Sequence, residues 1–139
     1  MSRTVESILA AYPAREGGAD RTRLLDMLHD LQGDRGWLPE GDLRALATGL
    51  GTTYLDVRET ASFYHLFHLE PAGRFRLHLA DTVVARMNGF DEVLAALEDA
   101  TGAPLGGVSP DGLFGLFTTP CIGLSDQEPA MLVDDVVFT

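Results

Sequence analysis

The amino-acid sequence predicts an α/β chain, in which a small helical bundle is followed by a shorter β-α-β-β unit. In the first half, apolar residues recur at the three- or four-residue spacing of helices that bury one face. After the segment "LEPAG", polar and apolar residues alternate, which is typical of a half-buried strand. This change of period places the predicted helical bundle at residues 1–72 and the β-α-β-β unit at residues 73–139.

Capping and breaking residues set the limits of the helices in the first half. Their apolar stripes include Leu24, Leu28 and Leu31 in the second helix, with Leu25 beside them, and Val57, Ala61 and Tyr64 in the fourth. The predicted helices are Val5 to Tyr12, 21–32 after an N-cap at Asp20, 40–50 between Pro39 and a stop at Gly51, and 54–67 after a cap at Thr52 or Thr53.

The second half predicts one helix packed on a small sheet. The segment "RFRLHL" alternates as a strand, and "NGFDEVLAALEDATG" returns to helical spacing, with Asp91 in its first turn and Gly102 at its end. A turn at "SPDG" leads into the apolar strand "LFGLF", and a hairpin is predicted to turn at Asp134-Asp135. Because Thr139 directly follows a strand, we expect the unit to be truncated before a last helix that covers its other face.

Composition excludes several classes of partner. The net charge is −11, with only 10 Lys and Arg residues, so the chain lacks the clustered basic residues that bind nucleic acid. No apolar run is long enough for a membrane span or a secretory signal. A single cysteine rules out an internal disulfide and suits a reducing compartment, so the sequence predicts a cytoplasmic protein.

Four segments, "GWLP", "TASFYHLF", "PDGLF" and "CIGLSDQEPA", carry a family resemblance. From about Arg21 onward the chain resembles the thioredoxin-like [2Fe-2S] subunits of respiratory complex I and their relatives in NAD-linked hydrogenases and formate dehydrogenases. Within this family it is similar to the N-terminal region of the flavoprotein, or diaphorase, subunits of soluble NAD-reducing hydrogenases. The resemblance implies a thioredoxin-like fold for residues 73–139.

The family pattern of four cysteine ligands falls on Ala80, Ala85, Cys121 and Ser125 in this sequence. Three of the four thiolates are therefore missing, and one cannot hold a [2Fe-2S] cluster. The resemblance then implies a degenerate, cluster-free domain with no catalytic residue and no metal of its own. FMN, NAD and iron-sulfur clusters are expected in the rest of the subunit or complex, and the expected partners are the other subunits, including an iron-sulfur subunit.

The function that follows is an accessory domain in the diaphorase part of an NAD-reducing hydrogenase. One alternative is a free-standing redox protein, which would use Cys121 as a reactive thiol or hold a cluster with unusual donors such as His78, Asp81 or Ser125. Another is the equivalent part of an NAD-dependent formate dehydrogenase.

Local sequence predicts that Cys121 is a packed, inert thiol. Leu124 stands where a C-x-x-C pair needs its second cysteine, and the neighbouring acids Asp126 and Glu128 are expected to disfavour the thiolate. Free cysteines usually pack as small apolar residues. Pro129 lies where thioredoxin-like folds keep a cis proline.

Histidines and aromatic residues are interpreted as structural. His65 and His68 have i, i+3 spacing near the end of the predicted fourth helix, but no third ligand is in register with them. His29 and His78 are isolated. Five aromatic residues are expected to pack where the two predicted units meet, the alternative being that they face a partner subunit. These residues are Trp37, Phe63, Tyr64, Phe67 and Phe75.

Overall fold

Helices build the first of two compact units, Met1–Pro71 and Ala72–Thr139. The structure is a computed structural model that describes residues 3–33 and 35–139. Among the residues described, no helix combines the length and apolar character needed to cross a membrane. The helices of the described part of the first unit are α1 (Val5–Ala11), α2 (Leu24–Gln32), α3 (Glu40–Leu50) and α4 (Tyr54–Phe63).

One apolar core holds the four helices together, as the stripes in the sequence predict. Leu28, Leu46 and Val57, from three different helices, are fully buried in it. Leu25 is an exception, because its side chain is exposed on the outer side of α2. The buried members of the core are Val5, Ile8, Met27, Leu28, Leu31, Leu38, Leu43, Leu46, Ala47, Leu50, Val57 and Ala61.

The predicted helix ends are confirmed where the residues that determine them lie at the end of the helix itself. Gly51 ends α3 in the left-handed conformation, with φ of 63°. Thr53 caps α4 through a capping box, in which its side chain accepts from the Asp56 N–H and the Asp56 side chain accepts from the Thr53 N–H. Asp20 caps a short 3-10 turn, Arg21–Arg23, so that α2 begins later than the sequence predicts.

The prediction that α4 continues to residue 67 is wrong, because the helix ends at Phe63. The buried side chain of Gln32 binds the following segment: its Nε2 donates to the Leu66 carbonyl, and its Oε1 accepts from the His68 N–H, each at 2.8 Å. These bonds hold the segment in a non-helical path. Tyr64 is consequently exposed instead of lying on the buried side of a helix.

A five-stranded mixed sheet forms the second unit, with the strand order β2-β3-β1-β4-β5. Strands β1 and β3 are parallel, and the other neighbouring pairs are antiparallel. Two helices, α5 (Val83–Met87) and α6 (Phe90–Thr101), lie between β1 and β3 in the chain. The strands are β1 (Phe75–Ala80), β2 (Gly107–Val108), β3 (Phe114–Thr119), β4 (Met131–Val133) and β5 (Val136–Phe138).

Helix α6 packs on one face of this sheet. Its Leu94 and Leu97 contact a core formed by Leu77 and Leu116 of the two parallel strands. Phe90, at the first position of the helix, is buried in an adjoining cluster with Leu79 and Ala85. The predicted β-α-β-β order is therefore confirmed, and the predicted hairpin turns at Asp134, which has a positive φ of 51°.

Two short elements, α5 and β2, are absent from the sequence-based prediction. They have five and two residues, which is too short for a hydrophobic period to be recognised. The local signal for α5 is Thr82, whose Oγ1 accepts a hydrogen bond of 3.0 Å from the Ala85 N–H.

The aromatic residues predicted to pack together differ in their burial. Phe63 is 76% exposed and Tyr64 is 42% exposed, and their ring centroids lie 5.1 Å apart in an edge-to-face contact, while their packing where the two units meet stays a prediction. Phe67 packs against the core of the first unit. Trp37 is half-buried, and Phe75 lies with its ring centroid 5.9 Å from that of Phe114 in the second unit.

Candidate functional site

The candidate site lies at the carboxyl ends of the parallel strands β1 and β3. Ala80 at the end of β1 is in register with Thr119 at the end of β3, and the Asp81 N–H donates to the Thr119 carbonyl at 2.9 Å. The chain leaves these ends as a first loop, residues 81–88, which contains α5, and a second loop, residues 120–130. Because parallel strands end at the same edge of a sheet, all four predicted ligand positions belong to this edge.

The two alanines are buried in the protein interior. Ala80 is fully buried, and its N–H donates to the Ala130 carbonyl at 3.0 Å. Ala85 is fully buried in α5 and packs with Leu79 and Phe90. A methyl group offers no electron pair to a metal, so neither position can donate to a cluster.

Cys121 and Ser125 are in direct contact in the second loop. The Cys121 Sγ lies 3.0 Å from the Ser125 Oγ, and it accepts a hydrogen bond of 3.3 Å from the Gly123 N–H. Gly123 reaches this position with a positive φ of 87°. The thiol is exposed, so the prediction that it is packed like an apolar residue is wrong.

Hydrogen bonding lowers the pKa of the Cys121 thiol. The Ser125 hydroxyl makes the largest contribution and the Gly123 N–H the next, because both stabilise the thiolate. The negative charge of Glu128 raises the pKa by a smaller amount. The prediction that nearby acids disfavour the thiolate therefore identifies a real effect, but it is wrong about the net direction.

Replacing Ser125 with alanine should slow the alkylation of Cys121 at neutral pH. The variant loses the largest contribution to the lowered pKa, so the midpoint of the rate-against-pH curve should move to higher pH. Iodoacetamide modification, followed by mass spectrometry, measures the rate. Glu128→Gln provides a control of opposite sign, since removing the negative charge should move the midpoint to lower pH. An unchanged midpoint in Ser125→Ala would contradict the assignment.

The unusual cluster donors considered from the sequence are engaged in other contacts. Asp81 makes two hydrogen bonds with the Arg86 guanidinium, of 2.7 and 2.8 Å. His78 is buried within β1, with its ring stacked 5.7 Å from that of Phe117. Within the described ranges, no group of three or more His, Cys, Asp and Glu side chains is placed to hold a metal ion.

The other histidines do not form the predicted helical pair. His65 and His68 follow the end of α4, so they do not share a helix face. The His68 backbone makes two hydrogen bonds. Its N–H donates to the Gln32 side chain, and its carbonyl accepts from the Leu38 N–H at 2.7 Å. His29 lies in the last turn of α2.

A [2Fe-2S] cluster requires four donors, normally thiolates with two on each iron. The four positions at this edge provide one thiol, one hydroxyl and two methyl groups. A serine oxygen is a hard ligand and a poor substitute for thiolate. The donor set therefore does not fit a [2Fe-2S] cluster.

Glu128 is a feature of the site that the sequence does not predict, since glutamate is normally exposed. It is only 4% exposed, and its Oε2 accepts a hydrogen bond from the Thr82 hydroxyl in the first loop. Its main-chain carbonyl accepts from the Asn88 side chain at 3.2 Å. Among residues 3–33 and 35–139, its Oε1 has no hydrogen-bond partner. The Glu128–Pro129 peptide bond is cis, which is the conformation considered for Pro129 from the sequence.

Comparison with known proteins identifies the family. A family model of the thioredoxin-like [2Fe-2S] ferredoxins matches residues 5–139. The chain belongs to this family. The resemblance recognised in the sequence is thereby confirmed, and the sheet and helices of the second unit are those of a thioredoxin-like [2Fe-2S] ferredoxin.

Relatives of the chain include subunits of two kinds of oxidoreductase. The alpha subunit of the NAD-reducing hydrogenase HoxS of Cupriavidus necator is 50% identical over all 139 residues. An NADH-quinone oxidoreductase subunit of Rhizobium meliloti is 38% identical over 135 residues, which are 97% of this chain and 77% of the relative.

Solved structures agree with the sequence relatives. The crystal structure of an NAD+-reducing [NiFe]-hydrogenase in the air-oxidized state matches 83% of this chain with a TM-score of 0.71 and 32% identity. The chain spans only 20% of the matched hydrogenase chain and 22% of the HoxS alpha subunit.

Proposed function

We propose that this chain is an accessory domain of an NAD-linked electron-transfer complex, in the diaphorase part of an NAD-reducing hydrogenase. The observation that carries the proposal is the 50% identity to the HoxS alpha subunit over the whole length of the chain. In the proposed complex, the oxidation of H2 drives the reduction of NAD+. The equivalent part of an NAD-dependent formate dehydrogenase is the alternative within the same class.

The proposed domain holds no iron-sulfur cluster and has no catalytic residue. This part of the proposal is supported by the buried methyl groups of Ala80 and Ala85 at two of the four ligand positions. Electrons then pass between the flavin and the iron-sulfur clusters of other parts of the complex without entering this domain. FMN, NAD and those clusters belong to the rest of the subunit and to a neighbouring iron-sulfur subunit.

The proposed role is to support the assembly of the complex in the cytoplasm. The helical bundle, residues 1–72, and the thioredoxin-like domain, residues 73–139, provide folded surfaces to the other subunits without taking part in the chemistry. The acidic character of the chain, with a net charge of −11, favours partner surfaces that carry positive charge.

Deleting residues 1–139 from the complete subunit tests this role. We expect reduced recovery of the assembled complex in size-exclusion chromatography, and a matching loss of hydrogen-dependent NAD+ reduction. Full assembly and activity without the domain would refute the accessory role. Cys121→Ala in the same subunit is the control: it removes the last predicted ligand, so the complex should assemble and work normally if no cluster depends on it.

Iron and acid-labile sulfide in the chain test the absence of a cluster. After anaerobic reconstitution the chain should retain neither, whereas a bound cluster would give about two irons per chain. That second result would place the domain in the electron path and contradict the cluster-free proposal.

A second candidate function, a redox role for the Cys121 thiol, is favoured by the exposure of the thiol and its lowered pKa. Without a second cysteine, such a thiol would have to exchange with a disulfide on another molecule. The test is the rate of mixed-disulfide formation with oxidised glutathione. A rate above that of an unfolded cysteine peptide would support this function, and a rate at or below it would exclude the thiol as a specialised redox group.

A further inference from the structure

Glu128 connects the two loops at the edge of the sheet. It belongs to the second loop, three residues after Ser125, and its carboxylate reaches Thr82, which lies between Ala80 and Ala85 in the first loop. The side chain is buried, so the contact is made in the protein interior and not across its surface.

Both ends of α5 are bound to this one residue. Thr82 is the N-cap of α5, and its hydroxyl donates to the Glu128 carboxylate while accepting from the Ala85 N–H. Asn88 is the C-cap of α5, and its side-chain amide donates to the Glu128 carbonyl. The position of Ala85 is therefore fixed relative to the second loop by a chain of hydrogen bonds through Thr82 and Glu128.

We propose that Glu128 takes the place of the cluster: its buried carboxylate links the two loops and excludes a [2Fe-2S] cluster independently of the missing cysteines. The proposal rests on the proposed assignment of Ala80, Ala85, Cys121 and Ser125 as the ligand positions. A cluster bound at these positions has to join residues 80 and 85 to residues 121 and 125, and the Glu128 side chain already spans from the second loop to the first.

Electrostatic repulsion would also oppose the binding of a cluster beside the Glu128 side chain. A [2Fe-2S] cluster with four thiolates carries a net negative charge, and the acidic side chain of Glu128 would be buried beside it. Like charges repel strongly where the effective dielectric constant is low. A buried carboxylate is stabilised by hydrogen bonds from neutral donors, and here the Thr82 hydroxyl provides one. The Thr82 hydroxyl therefore holds the Glu128 side chain in place, and an anionic cluster at the same edge would meet a second acidic group.

Restoring the thiolates with and without Glu128 tests the inference. The triple variant Ala80→Cys, Ala85→Cys, Ser125→Cys keeps Glu128, and a second variant adds Glu128→Ala. The matched control adds Gln127→Ala instead, because Gln127 is an exposed neighbour. After anaerobic reconstitution of each chain, iron, acid-labile sulfide and the visible spectrum are measured. We expect about two irons per chain only in the variant that lacks Glu128.

Each result of this comparison is decisive. A cluster in the triple variant with Glu128 in place would overturn the inference, and so would the failure of all three variants to bind iron when circular dichroism shows that they are folded. A cluster in the unaltered chain would instead overturn the proposed cluster-free function. These failures are therefore distinguishable.

A variant without new cysteines covers the case in which the cysteine variants do not fold. Glu128→Ala alone should accelerate amide hydrogen exchange in residues 83–88, because Thr82, the N-cap of α5, loses its bond to the second loop, while the Asn88 bond to the main-chain carbonyl remains. Gln127→Ala should leave this exchange unchanged. Unchanged exchange in Glu128→Ala would show that the carboxylate does not link the loops.

Discussion

Replacing Gly115 with alanine is expected to destabilise the second unit by about 3 kcal/mol, the upper end of the usual range for overpacking, because only a shift of the backbone can relieve the clash. A Cβ at this position would lie 2.0 Å from the Ala72 carbonyl oxygen and 2.6 Å from Cε2 of Phe117. Gly115 lies within β3 and is in register with Arg76 of β1. Relief of the clash therefore requires that the Ala72 backbone or the central strand pair shift.

Urea denaturation measures the effect of Gly115→Ala, with circular dichroism following the whole chain and the fluorescence of Trp37 following the first unit. Gly102→Ala is the control in the same unit, because its Cβ meets no atom within 4 Å and only its positive φ of 70° is unfavourable. That strain should cost about 1–2 kcal/mol. Equal losses in the two variants would contradict the argument from close contact.

Truncating Phe90 to alanine is expected to cost about 3–5 kcal/mol, the usual range for a phenylalanine lost from a core. The ring is 1% exposed and packs with Leu79 and Ala85, and the Arg86 guanidinium carbon lies 4.8 Å from its centroid. Its removal leaves a cavity beneath α5, next to the candidate site. The free energy of unfolding from urea titration checks the value.

Met87→Ala is the control for Phe90→Ala, because Met87, the last residue of α5, is also a large apolar residue but is 81% exposed. Its truncation should change the free energy of unfolding by less than about 0.5 kcal/mol. If Phe90→Ala were no more harmful than this control, the cluster around Phe90 would not be the support of α5 that its burial indicates.

The parts of the fold that could be predicted from the sequence are those determined within a few residues. Gly51 ends a helix because of its own conformation, and Thr53 caps the next helix through a residue three positions away. The end of α4 could not be predicted, since it depends on Gln32, whose bonds reach 34 and 36 residues along the chain. A regular helical pattern in "SFYHLF" gives no indication of such a distant partner.

The candidate site, like the fold, could be predicted from the sequence only in part. The four proposed ligand positions follow from the family resemblance, but the state of the thiol could not be predicted from it. Counting Asp126 and Glu128 as charges near Cys121 omits the geometry of the loop, in which a hydroxyl and an N–H reach the sulfur. The burial of Glu128 likewise depends on Thr82, which is 46 residues earlier in the sequence and adjacent only in the folded chain.

Each of the two units has its own apolar core. As described, the core of the first unit draws on residues between Val5 and Leu69, and those of the second draw on residues between Leu77 and Val133. If a substitution disturbs the packing of one core, the residues that can compensate for it therefore lie in the same unit. Substitutions at the four proposed ligand positions, which all lie in the second unit, should therefore leave the packing of the four helices of the first unit unchanged.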